Sequence, residues 1–294
     1  MKKREGFIFV LFILFILFIL FWFNQLDKIL YSPTITPEEW CINQPCLELE
    51  LFSHTIILVQ PSSTFFVYLL SIIAIIIGSN LIRIKKDQNF IFWWGIALLL
   101  WGAGAIFAGT SYQAFSYEIK CTGRTFCIWT SLWEIIYLML SVGSVNAMLM
   151  AQSSLGKRDQ LRKVMLGYGL VNCITYVIIV VIGAIIPIRF LISFELMILF
   201  LAPAVIFLLI FNIHKYFRSK KRINHDLTII WIFLILIIML YFLYFMLDFT
   251  KILWEQGIWL SENDVLHIGL ILWMVYINMA ISRFSKSIND LKKI

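Results

Sequence analysis

The sequence predicts an all-α, polytopic membrane protein, a bundle of eight transmembrane helices with both termini on the cytoplasmic side. Eight apolar runs each have about 17–25 residues, the length that a helix rising about 1.5 Å per residue needs to cross the hydrocarbon core. The apolar fraction is 61% and the charged fraction 14%, against roughly 45–50% and 25% in soluble domains. Of the 24 Lys and Arg residues, 19 fall in alternate segments, beginning with the N-terminus. Basic residues mark the cytoplasmic side of short loops, which fixes the predicted topology.

The apolar runs cover residues 7–23, 63–82, 90–112, 129–151, 164–186, 188–212, 227–247 and 264–282. The first follows a basic N-terminus, as the core of a signal peptide does, but it exceeds the usual core of about 7–15 residues and no small-x-small cleavage site follows it. We therefore favour a retained anchor; cleavage would leave seven helices with the N-terminus outside. The predicted organisation is an anchor (1–23), an extracytoplasmic loop (24–62), a seven-helix membrane domain (63–282) and a basic cytoplasmic tail (283–294).

Four of the five cysteines lie in the first two outer connections: Cys41, Cys46, Cys121 and Cys127. Thiols on the non-cytoplasmic side of a membrane predict disulfide bonds in an oxidising compartment. Four cysteines allow three pairings. Local pairs would tighten each loop, whereas crossed pairs would join the two loops. Cys173 lies inside the fifth run and is interpreted as a packing residue.

The net charge of +7 does not predict a nucleic-acid partner. It arises from the basic clusters on the predicted cytoplasmic side, which face anionic lipid head groups. Membrane lipids are therefore the expected partners, and the plasma membrane or a bacterial inner membrane is the expected location. The sequence contains no nucleotide-binding GxxxxGK[ST] motif, no HExxH motif and no GxSxG motif.

Small residues recur along the third run. Gly104 and Ala108 are four residues apart, as are Ala105 and Gly109. This spacing lets a neighbouring helix approach closely, so we interpret it as a packing surface. The connection between the last two runs, which contains Trp254, is predicted to form a short amphipathic segment on the outer surface.

Polar residues inside or beside the runs concentrate at the outer ends of five predicted helices. Glu134 and Glu195 are expected about 8 and 10 Å into their helices, where a carboxylate costs roughly 2.5–3.5 kcal/mol. Asn263, Asp264 and His267 share one face of the last helix because they are three and four residues apart. These positions predict a polar cavity at the outer face that binds a lipid or small ligand. The candidate ligand-binding residues are Gln113, Glu195, Asp248, Asn263 and Asp264.

Three segments resemble the CREST membrane hydrolases, which include the alkaline ceramidases. They are GTSYQAF at 109–115, the region around Trp133 and Glu134, and NDVLHIG at 263–269. The resemblance implies a zinc ion held by one His near the end of the second core helix and two in the seventh, with a Ser and an Asp beside it. A zinc-bound water then attacks an amide. Ser111 matches the family Ser, and His267 matches one of the ligands in the seventh helix.

The chain departs from this pattern at the other zinc ligands. Phe115 follows Ser111 by four residues where the family has His, and Ile271 follows His267 by four. The catalytic candidates are Ser111, Glu134 and His267, and the metal-ligand candidates are His267, Glu134 and Asp264, since carboxylates also bind zinc. Zinc is the cofactor that the resemblance implies; the residues alone imply none. The first functional hypothesis is a degenerate relative that binds a lipid or small ligand. An active metal-dependent lipid amide hydrolase and a transporter or channel component are the alternatives.

Overall fold

The computed structural model describes residues 23–42, 44–51, 54–84, 88–155 and 159–291. Within these residues, seven helices are long and apolar enough to cross a membrane, which indicates a multi-pass membrane protein. They are α1 (Pro61–Ile84), α2 (Asn89–Ala108, continued by a π-helical turn at Gly109–Ala114), α3 (Leu132–Ser154), α4 (Asp159–Ile185), α5 (Phe194–Ser219), α6 (Arg222–Met246) and α7 (Glu262–Leu291). The predicted first helix lies outside the described residues except for its last residue, so the choice between anchor and signal peptide stays a prediction.

The start of α5 corrects the sequence prediction. The apolar run begins at residue 188, but the helix begins at Phe194 because Ser193 caps it: the Ser193 hydroxyl accepts a hydrogen bond from the backbone N–H of Leu196 at 3.3 Å. A 3₁₀ turn at Arg189–Ile192 precedes the cap. Apolar composition alone did not distinguish this turn from a helix.

Helix α2 lies between α1 and α3 and packs closely on α1. A Cβ atom added at Gly95 would lie 2.6 Å from Ile82 Cγ1 and 2.9 Å from the carbonyl oxygen of Gly78, and one at Gly109 would lie 2.4 Å from Val67 Cγ1. The predicted small-residue packing is therefore confirmed at Gly109. At Gly104 the nearest side-chain atom would be 3.6 Å away, so that position has room for a methyl group.

The largest core cluster contains buried residues from all seven long helices, with one residue each from α4 and α5. Three tryptophans in it are fully buried: Trp94, Trp231 and Trp273. The Trp273 indole donates a hydrogen bond to the carbonyl of Ile230 at 2.8 Å, which ties α7 to α6. Buried indole rings contribute large apolar areas, so this cluster makes the membrane domain one packed body.

The outer connections form a folded layer, which we call the outer cap (residues 23–60 and 115–131, as far as they are described). It contains an antiparallel hairpin of β1 (Cys46–Leu51) and β2 (His54–Val59), which together with an isolated bridge between Leu30 and Ile128 departs from an all-α architecture. Disulfides join Cys41 to Cys46 and Cys121 to Cys127. The predicted disulfides are thus present, and the pairing is local.

Hydrogen bonds join the two halves of the outer cap, whereas each disulfide lies within one half. The N–H of Trp129 donates to the carbonyl of Ile29 at 2.7 Å, and that of Cys127 donates to Ile35 at 2.8 Å. The N–H of Ile57 in β2 donates to the carboxylate of Glu118 at 3.3 Å. The first outer connection is therefore held over the second, which places a layer of protein on the outer ends of α2 and α3.

Candidate functional site

A buried polar cluster lies where α2 and α3 meet the outer cap; we call it the Lys120–Glu134 cluster. Glu134 is in the first turn of α3. Its Oε1 atom lies 2.6 Å from Lys120 Nζ and accepts a hydrogen bond from Ser111 Oγ at 2.7 Å. Ser111 Oγ is also 2.7 Å from Ser131 Oγ. Ser111 and Gln113 both belong to the π-helical turn at the end of α2. Neighbouring elements pack against this turn on several sides, so both side chains are buried.

The ammonium group of Lys120 has three polar partners. Besides Glu134, it donates to the carbonyl of Trp129 at 3.2 Å and to the hydroxyl of Tyr31 at 3.3 Å. An ammonium carries three donors, so its hydrogen-bonding capacity is used. Burial lowers the pKa of Lys120, but the charge of Glu134 and the hydrogen bonds outweigh it, so the pKa lies above its usual value of 10.5.

Glu134 is therefore a paired carboxylate in an almost closed site. Only 2% of Lys120, 2% of Glu134 and none of Ser111 is exposed. The hydroxyl of Ser111 faces a carboxylate, as a nucleophile faces a base, yet the surrounding protein separates it from solvent. Sequence reasoning missed Lys120, because a lysine in an outer loop is ordinarily exposed.

A second polar cluster lies at the start of α7; we call it the Asp264–His267 cluster. Asp264 Oδ2 accepts hydrogen bonds from the Ser261 backbone N–H at 2.6 Å and from Ser62 Oγ at 3.1 Å. Ser63 Oγ lies 2.8 Å from Ser261 Oγ. Asp264 Oδ1 and His267 Nδ1 are buried and have no hydrogen-bond partner among the residues that the structure describes. This cluster therefore ties α7 to the start of α1 but leaves two polar atoms unsatisfied.

The predicted zinc ligands are not gathered into one site. Across the described parts of the chain, no three His, Cys, Asp or Glu side chains form a group that could hold a metal ion. His267, Glu134 and Asp264 are all described, so they do not form the predicted three-ligand set. A catalytic zinc site ordinarily has three protein ligands. This donor set does not fit zinc, and we derive no chemistry from a metal.

The other predicted ligand-binding residues have different environments. Gln113 is buried, and its Oε1 has no hydrogen-bond partner in the described segments. Glu195 is exposed in the first turn of α5, so its predicted depth is wrong, because that helix begins at Phe194. Asn263 is half-buried, whereas Asp264 and His267 are buried. The predicted shared face of α7 therefore consists of the last two residues.

Asp248 lines an outer cleft of about 650 Å³. It follows the end of α6 in the left-handed backbone region, with φ +51°, and precedes a short helix at Phe249–Glu255. That helix confirms the predicted segment between the last two long helices. Opposite it, the cap contributes Ile42, Gln44 and Pro45 to the cleft. Sequence reasoning did not identify the other charged lining residues, which are Lys251, Glu255 and Glu262.

Comparison with known proteins gives one match. A family model described as a family of unknown function, DUF6962, matches residues 63–286. No curated protein and no solved structure matches the chain. The matched segment contains almost all of α1 to α7 and excludes most of the first outer connection. The seven-helix membrane domain therefore defines the protein's membership: this chain belongs to the DUF6962 family.

Proposed function

We propose that this protein binds an amphiphile with a positively charged head group in the outer cleft. The observation that carries the proposal is the cleft itself, about 650 Å³ between the cap, the helix Phe249–Glu255 and the start of α7. Small-molecule sites usually have volumes of about 300–1,000 Å³. The cleft lies at the C-terminal end of α6 and the N-terminal end of α7, where the head group of an amphiphile meets water.

The charge of the cleft selects a cation. Among the described residues, three carboxylates line it, from Asp248, Glu255 and Glu262, against the single ammonium of Lys251. Glu262 is held in place by Thr250: their side chains are hydrogen-bonded, and the Glu262 N–H donates to Thr250 Oγ1 at 3.0 Å. Opposite charges attract and like charges repel, so an amine or quaternary ammonium is favoured over a phosphate or sulfate.

Aromatic and apolar side chains complete the recognition. Trp254 and Trp259 line the cleft together with Phe245. A tryptophan ring attracts a cation placed over its face by about 0.5–2 kcal/mol. Phe245 and Met246 at the end of α6 are 61% and 79% exposed, which offers a lipid-facing surface for an alkyl chain. Head group and chain thus have adjacent, chemically different surfaces.

Binding is favoured over hydrolysis because the outer cleft is exposed and Ser111 is not. The cleft is open, whereas Ser111 is fully buried within the Lys120–Glu134 cluster.

Lipid amide hydrolysis is the second candidate, supported by the 2.7 Å hydrogen bond between Ser111 and Glu134. Its test is hydrolysis of a fluorogenic N-acyl amide by the purified protein. Activity that is absent, or unchanged in Ser111→Ala, would remove this candidate.

The binding proposal is tested with the full chain in nanodiscs. Tryptophan fluorescence is titrated with dodecyltrimethylammonium and, separately, with dodecyl sulfate, both below their micellar concentrations. We expect saturable binding of the cation only, weakened about fivefold or more by Glu255→Gln, since a nearby opposite charge contributes about 1 kcal/mol or more. The matched control is Glu48→Gln, an exposed carboxylate on β1 outside this cleft. Equal binding of both detergents, or equal loss in both variants, would contradict the proposal.

A further inference from the structure

A second pocket lies at the opposite end of the bundle, between the start of α6 and the end of α7. Its volume is about 360 Å³. Arg222, Arg283 and Lys286 line it, and Ile223 and Phe284 give it an apolar wall. It has no residue in common with the outer cleft. Because α6 runs from this end towards the cap and α7 runs back, the pocket lies on the side that the basic loops assign to the cytoplasm.

Among the described residues, Asp226 is the one carboxylate in this pocket, and it is already paired. Asp226 is buried and 3.3 Å from Arg283 Nη2, and the His225 imidazole lies 3.6 Å from its other oxygen. A guanidinium has five N–H donors in a fixed plane. Pairing with Asp226 therefore orients Arg283 and leaves donors for another acceptor. Arg222 and Lys286 are exposed, so their charges are available to a ligand.

We propose that this pocket binds the phosphate of an anionic phospholipid. Three basic side chains surround it, and guanidinium groups match the geometry of phosphate oxygens. The pocket lies at the helix ends, at the depth of lipid head groups, and its apolar wall can contact the glycerol and the first methylenes. Basic pockets between transmembrane helices on the cytoplasmic side recognise head groups in this way. A lipid is favoured over a soluble phosphate because the wall is apolar.

The test compares two double variants of the full chain that each remove two exposed positive charges. Arg222→Gln/Lys286→Gln removes them from the pocket. Arg218→Gln/Lys163→Gln removes them from the same end of the bundle, outside the pocket. Native mass spectrometry measures the dissociation constants of dioleoylphosphatidylglycerol and dioleoylphosphatidylcholine for the purified proteins. The melting temperature of each variant checks that it is folded, as expected for changes at exposed side chains.

We expect the pocket variant to bind phosphatidylglycerol roughly thirtyfold more weakly, since each basic residue near an anionic head group contributes about a fivefold effect. The control variant should change by less than about threefold, and phosphatidylcholine binding should not change. Equal losses in the two variants would mean a general surface charge and would overturn the proposal. Soluble glycerol 3-phosphate that competes as well as the lipid would show a free-phosphate site and would overturn the lipid assignment.

Discussion

The Lys120–Glu134 cluster and the Asp264–His267 cluster carry the same signal in the sequence and differ in the structure. Each places buried polar side chains at the outer end of a membrane helix. In the first, three donors of Lys120 meet three acceptors. In the second, Asp264 Oδ1 and His267 Nδ1 have no hydrogen-bond partner within the described part of the chain.

The presence or absence of hydrogen-bond partners distinguishes a structural role from a role that the internal contacts do not explain. A buried charge that is fully paired holds elements together, and it needs no ligand to explain it. A buried polar atom without a partner raises the energy of the folded state, so it calls for another explanation. Polar residues in membrane helices are therefore better interpreted through their partners than through their depth.

The largest expected effect comes from breaking the paired cluster. Glu134→Gln leaves the buried ammonium of Lys120 without its counter-charge and should lower the free energy of unfolding by about 3–5 kcal/mol. Unfolding in mixed dodecyl maltoside and SDS micelles measures it, with Glu48→Gln as control. Lys120→Met/Glu134→Leu should recover most of the loss, since apolar replacement of a buried pair is often neutral. Equal free energies of unfolding for Glu134→Gln and Glu48→Gln would mean that the ion pair does not stabilise the fold.

Removal of the disulfide beside this cluster should have a smaller effect. Cys121→Ser/Cys127→Ser opens a short covalent loop, with a sequence separation of 6, and should cost about 2 kcal/mol. The same unfolding assay measures it. Cys173→Ser, which changes a free thiol, serves as control and should have little effect. A loss well above 3 kcal/mol would mean that the bond also positions Lys120.

Alkaline pH should reduce the contribution of the Lys120–Glu134 cluster to the free energy of unfolding. Because the pKa of Lys120 is raised above 10.5 in the folded protein, its stabilising contribution is fully present below the pKa of the unfolded chain. It is lost as pH rises through the folded pKa, with a slope of at most about 1.4 kcal/mol per pH unit. Unfolding measured from pH 9 to 12 should show this additional loss in the native sequence and not in Lys120→Met/Glu134→Leu.

The smallest effect on stability is expected in the Asp264–His267 cluster. His267→Leu removes a buried imidazole nitrogen that has no partner, so the free energy of unfolding should stay within about 0.5 kcal/mol or rise. A melting curve measures it, beside Asp264→Asn, which weakens two hydrogen bonds and should lower stability by about 1 kcal/mol. A loss above 2 kcal/mol for His267→Leu would mean that His267 is as structural as Glu134.

The membrane helices were predictable because apolar length and basic asymmetry are properties of the chain itself. The seven described spans agree with the predicted runs to within about five residues, apart from α5 and from the end of α7, which continues to Leu291. That helix starts late because Ser193 supplies a cap, and one hydroxyl is a weak signal inside an apolar run. The β hairpin was not predicted, since its pairing depends on contacts within the cap.

The candidate site was predictable only in part. Ser111 and Glu134 were chosen for their depth and are indeed hydrogen-bonded, but the partner that defines their environment, Lys120, comes from a loop. Asp248 was chosen as a helix end, and it does line the outer cleft. Glu255 and Trp254 were not chosen as site residues because their role depends on how the cap folds over the short helix.

The hydrogen bonds between the two halves of the outer cap impose an order on biogenesis. Ile29 and Ile35 precede α1, whereas their partners Trp129 and Cys127 follow α2. The two flanking segments must therefore reach the same end of the α1–α2 hairpin before the halves can meet. The burial of Lys120 must then follow membrane insertion, because its partners Tyr31 and Trp129 come from opposite sides of that hairpin. Completion of the outer cap is thus a step that follows the pairing of α1 with α2.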